Sequence, residues 1–162
     1  MKKIFISIII ATTALSLTAC GGSTVTSSTE SSSDSALPTV SDNAGAKPTI
    51  SKPEGSAPTE LTTKDIIEGT GAEVLPTSTL TVHYTLMAWS TGKIIESSWS
   101  GQPATFPLAG VVEGWQKGLP GSKEGGRRLL ILPPSMGYGA AGSGPIGPNE
   151  TLIFAVDIIG VA

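Results

Sequence analysis

From Thr79 to Leu86 the chain alternates strictly, with Leu80, Val82, Tyr84 and Leu86 set against Thr79, Thr81, His83 and Thr85. A period of two places each set on one face of an extended backbone, so the segment predicts a half-buried β-strand. Leu152, Phe154, Val156 and Ile158 repeat the pattern, and the apolar run Leu129–Leu132 predicts a third strand. Thr105–Leu108 and a stretch around Asp65–Glu68 are shorter candidates, while Gly69-Thr70-Gly71 and Ser90-Thr91-Gly92 read as turns. One stretch changes period. Val112, Trp115 and Leu119 fall at i, i+3 and i+7, the spacing of one helical face. Gly114 and Gly118 are poor helix formers, so packing must hold this helix, and Pro120-Gly121 stops it. The pattern predicts an α+β domain: a curved antiparallel sheet of about five strands wrapped around one short helix.

Composition places that domain in the second part of the chain. Seven of the eight aromatic residues lie after residue 80, and Phe5 is the exception. Residues 21–60 hold 10 Ser, 6 Thr, 4 Pro and 4 Gly in 40 positions and no aromatic. Such a segment buries too little apolar surface to offset its ordering entropy and reads as a disordered tether. Ahead of it, Met1-Lys2-Lys3 precedes the uncharged, mostly apolar run Ile4–Leu17. That run is shorter than the roughly 20 residues a membrane-spanning helix needs, and fits a secretory signal. Leu17-Thr18-Ala19-Cys20 resembles a bacterial lipobox, in which cleavage before Cys20 leaves a lipidated cysteine. Two or three acyl chains on Cys20 make a stable anchor. The expected organisation is a lipoprotein signal peptide over 1–19, the lipidated Cys20 and tether over 20–60, and a folded domain over 61–162. The mature protein would then sit outside the cytoplasmic membrane, on the outer leaflet.

Charge narrows the partners. Of 10 Lys and Arg, Lys2 and Lys3 belong to the leader; the remaining 8 face 13 Asp and Glu, a net charge of −5. A chain of that sign has no polyelectrolyte reason to seek nucleic acid. Arg127-Arg128 reads as a solvated strand edge, and Asp65, Glu68 and Glu73 as solvated charges. His83 lies on the opposite phase from Tyr84, and one His without Cys or a second His makes no metal site. Ser97-Ser98 has no evident base, which leaves nucleophilic catalysis unsupported. No cofactor is implied, and nothing points to an oligomer.

Five segments carry a family likeness. In order they are Val82-His83-Tyr84-Thr85, Gly92-Lys93-Ile94-Ile95-Glu96-Ser97-Ser98-Trp99, Val111-Val112-Glu113-Gly114-Trp115, Pro133-Pro134-Ser135-Met136-Gly137-Tyr138-Gly139 and Ile146–Phe154. Together they resemble the FKBP-type peptidyl-prolyl cis-trans isomerases over nearly all of 61–162. The resemblance implies the same α+β architecture and a pocket for a prolyl ring. It makes Trp115 the floor and Tyr84 and Phe154 walls. Val111 and Val112 become lining, with the Val112 N–H free for a substrate carbonyl. Tyr138 becomes a hydroxyl donor over the opening, and Ile146 closes the far side. Macrolide-type inhibitors are implied as ligands.

Two positions depart from the family's usual Phe-Asp-Ser-Ser, which here reads Ile95-Glu96-Ser97-Ser98. Ile95 loses an aromatic wall. Glu96 carries its carboxylate one methylene further out, with no arginine in Trp99–Gln102 to pair it, so a weakened rim is expected. Ala104 stands where the family often has an aromatic and opens the mouth on one side. The leading expectation is an isomerase acting on X-Pro bonds of exported proteins, with apolar residues favoured before the proline. The alternative is a folding holdase or proline-peptide binding module of low turnover, to which Ile95, Glu96 and Ala104 lend weight.

Overall fold

The computed structural model describes residues 37–162, so the signal segment, Cys20 and the tether up to residue 36 lie outside the described residues. The strands are β1 (Thr62–Ile67), β2 (Thr79–Ala88), β3 (Ile94–Ser97), β4 (Ala104–Pro107), β5 (Arg127–Leu132) and β6 (Leu152–Val161). The single α-helix among the described residues, α1 (Glu113–Gly118), lies between β4 and β5. All pairings are antiparallel, in the order β1-β5-β6-β2-β3, with β4 on the same edge of β2 as β3. The sheet therefore has six strands, one more than the periodicity predicted. The extra one arises because β2 is long enough to pair β4 through Thr79–Val82 and β3 through Thr85–Met87.

The alternation in β2 and β6 sorts the sheet into two faces. Leu80, Val82, Leu86, Leu130, Leu132, Leu152, Phe154, Val156 and Ile158 form one cluster with Trp115 and Leu119 around α1. The two helical glycines explain how so short a helix docks. A Cβ on Gly114 would overlap the side chain of Leu132, and one on Gly118 that of Leu130. Their absence lets the helix backbone lie directly on β5, where burial stabilises what propensity would not.

The opposite face is also covered, and this corrects the expected tether. Leu37, Val40, Ile50 and Ala57 pack on Met87, Trp89, Leu129, Ile131 and Ile153. The covering arm is a narrow hairpin: Val40 bridges Ile50, Ser41 N–H donates to Thr49 O at 3.0 Å, and Ser51 N–H to Thr39 O at 2.9 Å. Pro38, Pro48 and Pro53 are buried in it. Composition missed this because four scattered apolar residues and three prolines suffice when a preformed sheet supplies the other half of the core.

Arg127 and Arg128 are a second correction. Successive strand residues point to opposite faces, and each arginine is tied down on its own side. Arg127 is fully buried and pairs with Asp157, its cross-strand neighbour, through Nε at 2.9 and 3.0 Å and Nη2 at 2.8 Å. Its remaining donors reach the arm, from Nη1 to Ser41 O and from Nη2 to Ala46 O, both at 2.7 Å. Burial pushes the Asp157 carboxyl above its usual range, while Arg127 and His83 pull it part of the way back. Arg128 grips Asp65 at 2.6 and 2.8 Å and donates to Gly118 O and Pro120 O at 3.0 and 3.1 Å. Those carbonyls end the helix and have no intrahelical partner, so Arg128 serves as its C-terminal cap. Neither arginine is a solvated edge charge, whereas Asp65 is exposed on the edge strand β1 as expected and pairs with Arg128 there.

Candidate active site

On the helix side of the sheet a cavity of about 420 Å³ opens to solvent. Tyr84, Leu86, Glu96, Phe106, Gly110, Val111, Val112, Trp115, Tyr138 and Phe154 line it. Its base is Trp115, only 5% exposed, presented by α1. Three rings meet this indole edge-to-face: Phe154 at 5.4 Å, Tyr84 at 5.8 Å and Phe106 at 6.2 Å between centroids, with interplanar angles of 84°, 82° and 88°. Such contacts contribute about 0.5–1.5 kcal/mol each beyond area burial, so the base is stiff. The indole N–H of Trp115 is buried without a hydrogen-bond partner. An orphaned donor of this kind costs about 1–3 kcal/mol, a destabilisation located at the floor of the cavity.

The polar groups are few and sit at the rim. Tyr84 donates its hydroxyl to Glu96 Oε1 at 2.6 Å. Burial first, then the bond to Glu96 and its charge, hold the Tyr84 hydroxyl well above the ordinary tyrosine range. The longer side chain of Glu96 thus reaches the rim after all, although among the described residues no cation pairs with it. Tyr138 is 39% exposed at the mouth, and its hydroxyl has no partner among the described residues. The backbone N–H of Val112 is likewise unpaired there, while the Val112 carbonyl accepts from Trp115 and Gln116. Gln116 holds the lining loop from behind, its Nε2 donating to Val111 O at 2.7 Å.

The structure brings together Tyr84, Glu96, Val111, Val112, Trp115, Tyr138 and Phe154, and does not bring Ile95, Ala104 or Ile146 to the cavity wall. Ile146 is buried in the helix-side cluster at 8% exposure, and Ile95 packs on the edge of that cluster. Ala104 pairs with Val82 in β4, and the wall on its side is instead Phe106, two residues on and on the same face. Sequence reasoning missed Phe106, although Thr105–Leu108 was a strand candidate whose alternation would have turned Phe106 inward. Gln116 gave no signal, because its role depends on where a loop closes.

His83 does face away from the cavity, stacked on Trp99 at 4.3 Å. Its Nδ1 meets Ser98 Oγ at 3.0 Å, a serine–histidine contact that no local pattern predicts. The same Oγ accepts the Tyr84 N–H at 2.9 Å, and neither His83 nor Ser98 lines the cavity. Ser98 therefore pins the end of β3 to β2, behind the Tyr84–Glu96 pair. Among the described residues no group of three His, Cys, Asp or Glu is placed to hold a metal ion.

The site is an apolar cup with an indole base and its polar side chains, Tyr84, Glu96 and Tyr138, at the rim. It can hold an apolar ring and a carbonyl. The family model for FKBP-type peptidyl-prolyl cis-trans isomerases matches residues 71–159. The chain belongs to that family. As an FKBP it is similar to a probable FK506-binding protein of Corynebacterium glutamicum, 47% identical over 101 residues, which cover 62% of this chain and 86% of that protein. The crystal structure of FkpA from Escherichia coli superposes with a TM-score of 0.59 at 36% identity, over 62% of this chain and 47% of the other. That of AtFKBP13 gives 0.59 at 31% identity, over 65% of this chain and 96% of the other. The FKBP activity is isomerisation of peptidyl-prolyl bonds, and the family binds proline-containing substrates and FK506-type ligands.

Proposed function

We propose that this isomerase acts on X-Pro bonds of exported proteins, held to the outer leaflet of the cell membrane by lipid on Cys20. The Lys2-Lys3 leader, the apolar run and Leu17-Thr18-Ala19-Cys20 support the anchor. The cavity supports the chemistry, and the observation that carries it is Trp115 flooring a pocket of about 420 Å³ with three aromatic neighbours.

The barrier to rotation about the peptide bond is about 18–20 kcal/mol because amide resonance must be broken. At the twisted transition state the carbonyl oxygen loses negative charge and the nitrogen becomes pyramidal. The apolar walls disfavour the planar, more polar ground state relative to the twisted one. With the prolyl ring on Trp115, the free N–H of Val112 takes one substrate carbonyl and the Tyr138 hydroxyl a second. These contacts hold the flanking chain while the bond turns. Glu96 fixes the orientation of Tyr84, which keeps the wall in place. An acceleration of 10³ to 10⁵ requires only about 4–7 kcal/mol, within reach of packing and desolvation.

The test is a protease-coupled assay on proline tetrapeptides with the full-length chain in detergent. Acceleration that a macrolide blocks is the expected result; peptide binding with no acceleration would reject the reading and leave a holdase. For the anchor, radiolabelled palmitate should enter the wild-type chain and not Cys20→Ser. Equal labelling of both would overturn the lipid assignment.

A further inference from the structure

The cavity has one formal charge on its wall and nothing to balance it. Of its ten lining residues only Glu96 is a carboxylate, and none is Lys, Arg or His. Glu96 is exposed at the rim, and its one partner among the described residues is the neutral Tyr84 hydroxyl, which occupies Oε1 at 2.6 Å. Lys117 pairs with Glu113 at 2.6 Å on the helix, Arg127 with Asp157 and Arg128 with Asp65, and among the described residues no other lysine lies within ion-pair distance of Glu96. Oε2 therefore has no hydrogen-bond or ion-pair partner among the described residues, in a cavity that the exposed Tyr138 also lines.

We propose that Glu96 is a specificity residue that selects proline segments carrying a lysine or arginine beside the proline. The inference rests on the cavity being the proline pocket. A chain seated on Trp115 must cross the rim, and residues flanking the proline then pass within side-chain reach of Glu96. A basic side chain can extend its stem over the aromatic wall and bring its charge to Oε2. An acidic one meets like charge there. Burial of the pair against the rim raises its worth above that of two solvated ions, yet the pair stays exposed enough to be screened by salt. This modifies the apolar preference expected from the sequence: an apolar residue remains acceptable, an acidic one is disfavoured, and a basic one gains.

The experiment measures exchange rates by NMR on two peptide sets, one varying the residue before proline and one the residue after it, as Lys, Gln or Glu. Full-length protein is used, at 0.05 and 1 M salt. Lys peptides should exceed Glu peptides in kcat/KM by about two- to fivefold in at least one set, the size exposed pairs provide. The ratio should shrink toward one at high salt and in Glu96→Gln, whatever that variant does to the overall rate. Catalysis with equal ratios, or a ratio that Glu96→Gln leaves intact, overturns the inference alone. No catalysis on any peptide overturns the pocket reading beneath it.

Discussion

The two faces of this sheet are built by opposite means. The helix side is apolar throughout, an aromatic cup left open at the top, with its one charge at the lip. The far side is closed by the arm and carries a buried charge pair, Arg127–Asp157, whose guanidinium is completed by main-chain carbonyls of that arm. The open face must remain unfilled for a substrate, so its stability has to come from elsewhere. The closed face adds a second apolar cluster and a specific lock. An arginine that has five donors and finds acceptors for them on one carboxylate and a hairpin dictates where that hairpin lies.

The severest way to break the contrast is to unlock the closed face. Arg127→Ala leaves Asp157 buried without its counter-charge and the Ser41 and Ala46 carbonyls without donors. Removing one partner of a buried pair costs about 3–5 kcal/mol, which urea unfolding should register. Because the Asp157 carboxyl is already raised by burial, it should take up a proton more readily in the variant. The loss should then be smaller at acid pH than at neutral pH. Meanwhile kcat/KM per folded molecule should stay within about twofold, since the cavity lies across the sheet. A large activity loss in still-folded protein would mean the faces are coupled. Removing the arm should act in the same direction, by baring Met87, Leu129, Ile131 and Ile153.

The complementary cut falls on the open face. Trp115→Leu removes the floor on which three rings converge, and should lower kcat/KM at least tenfold, about 1.4 kcal/mol of transition-state binding. Stability should fall less than a buried tryptophan ordinarily implies, because the variant also removes an N–H that has no partner. Undiminished activity in the folded variant would dismiss the indole from catalysis. A stability loss as large as that of Arg127→Ala would show that the floor is chiefly a core residue.

The same division explains what the sequence disclosed. β2, β6 and α1 were legible because period-two and helical spacing arise from burial on one face, and each of the five family-like segments sends at least one residue to the helix-side cavity, Tyr84, Glu96, Trp115, Tyr138 and Phe154 in turn. Phe106 was recoverable by the same logic, had the alternation of β4 been followed. The closed face was opaque. Nothing local marks Leu37, Val40, Ile50 and Ala57 as core, since their partners are strands tens of residues away. Two adjacent arginines look like a solvated edge until the cross-strand register puts Asp157 opposite one and a helix end beside the other. Long-range ion pairing has no period, whereas one-sided burial does.

The finest test asks whether the rim of the open face is governed by charge, as the closed face is, or by burial. Tyr84 and Tyr138 are the only tyrosines, so Tyr138→Phe leaves Tyr84 as the sole source of tyrosinate absorbance at 295 nm. In denaturant that absorbance should rise around pH 10, the ordinary value. In the folded variant it should appear only well above that range, because desolvation and Glu96 both disfavour the phenolate. A raised folded value means the protonated hydroxyl contributes stability that is fully present below pH 10. That contribution is lost as pH climbs through the folded value, so the Tyr84–Glu96 bond should persist across the neutral and mildly alkaline range. Adding Glu96→Gln should bring the onset down only part of the way, since burial is the larger cause. A return to the ordinary value would instead assign the rim to charge, and would make the two faces alike in what holds them.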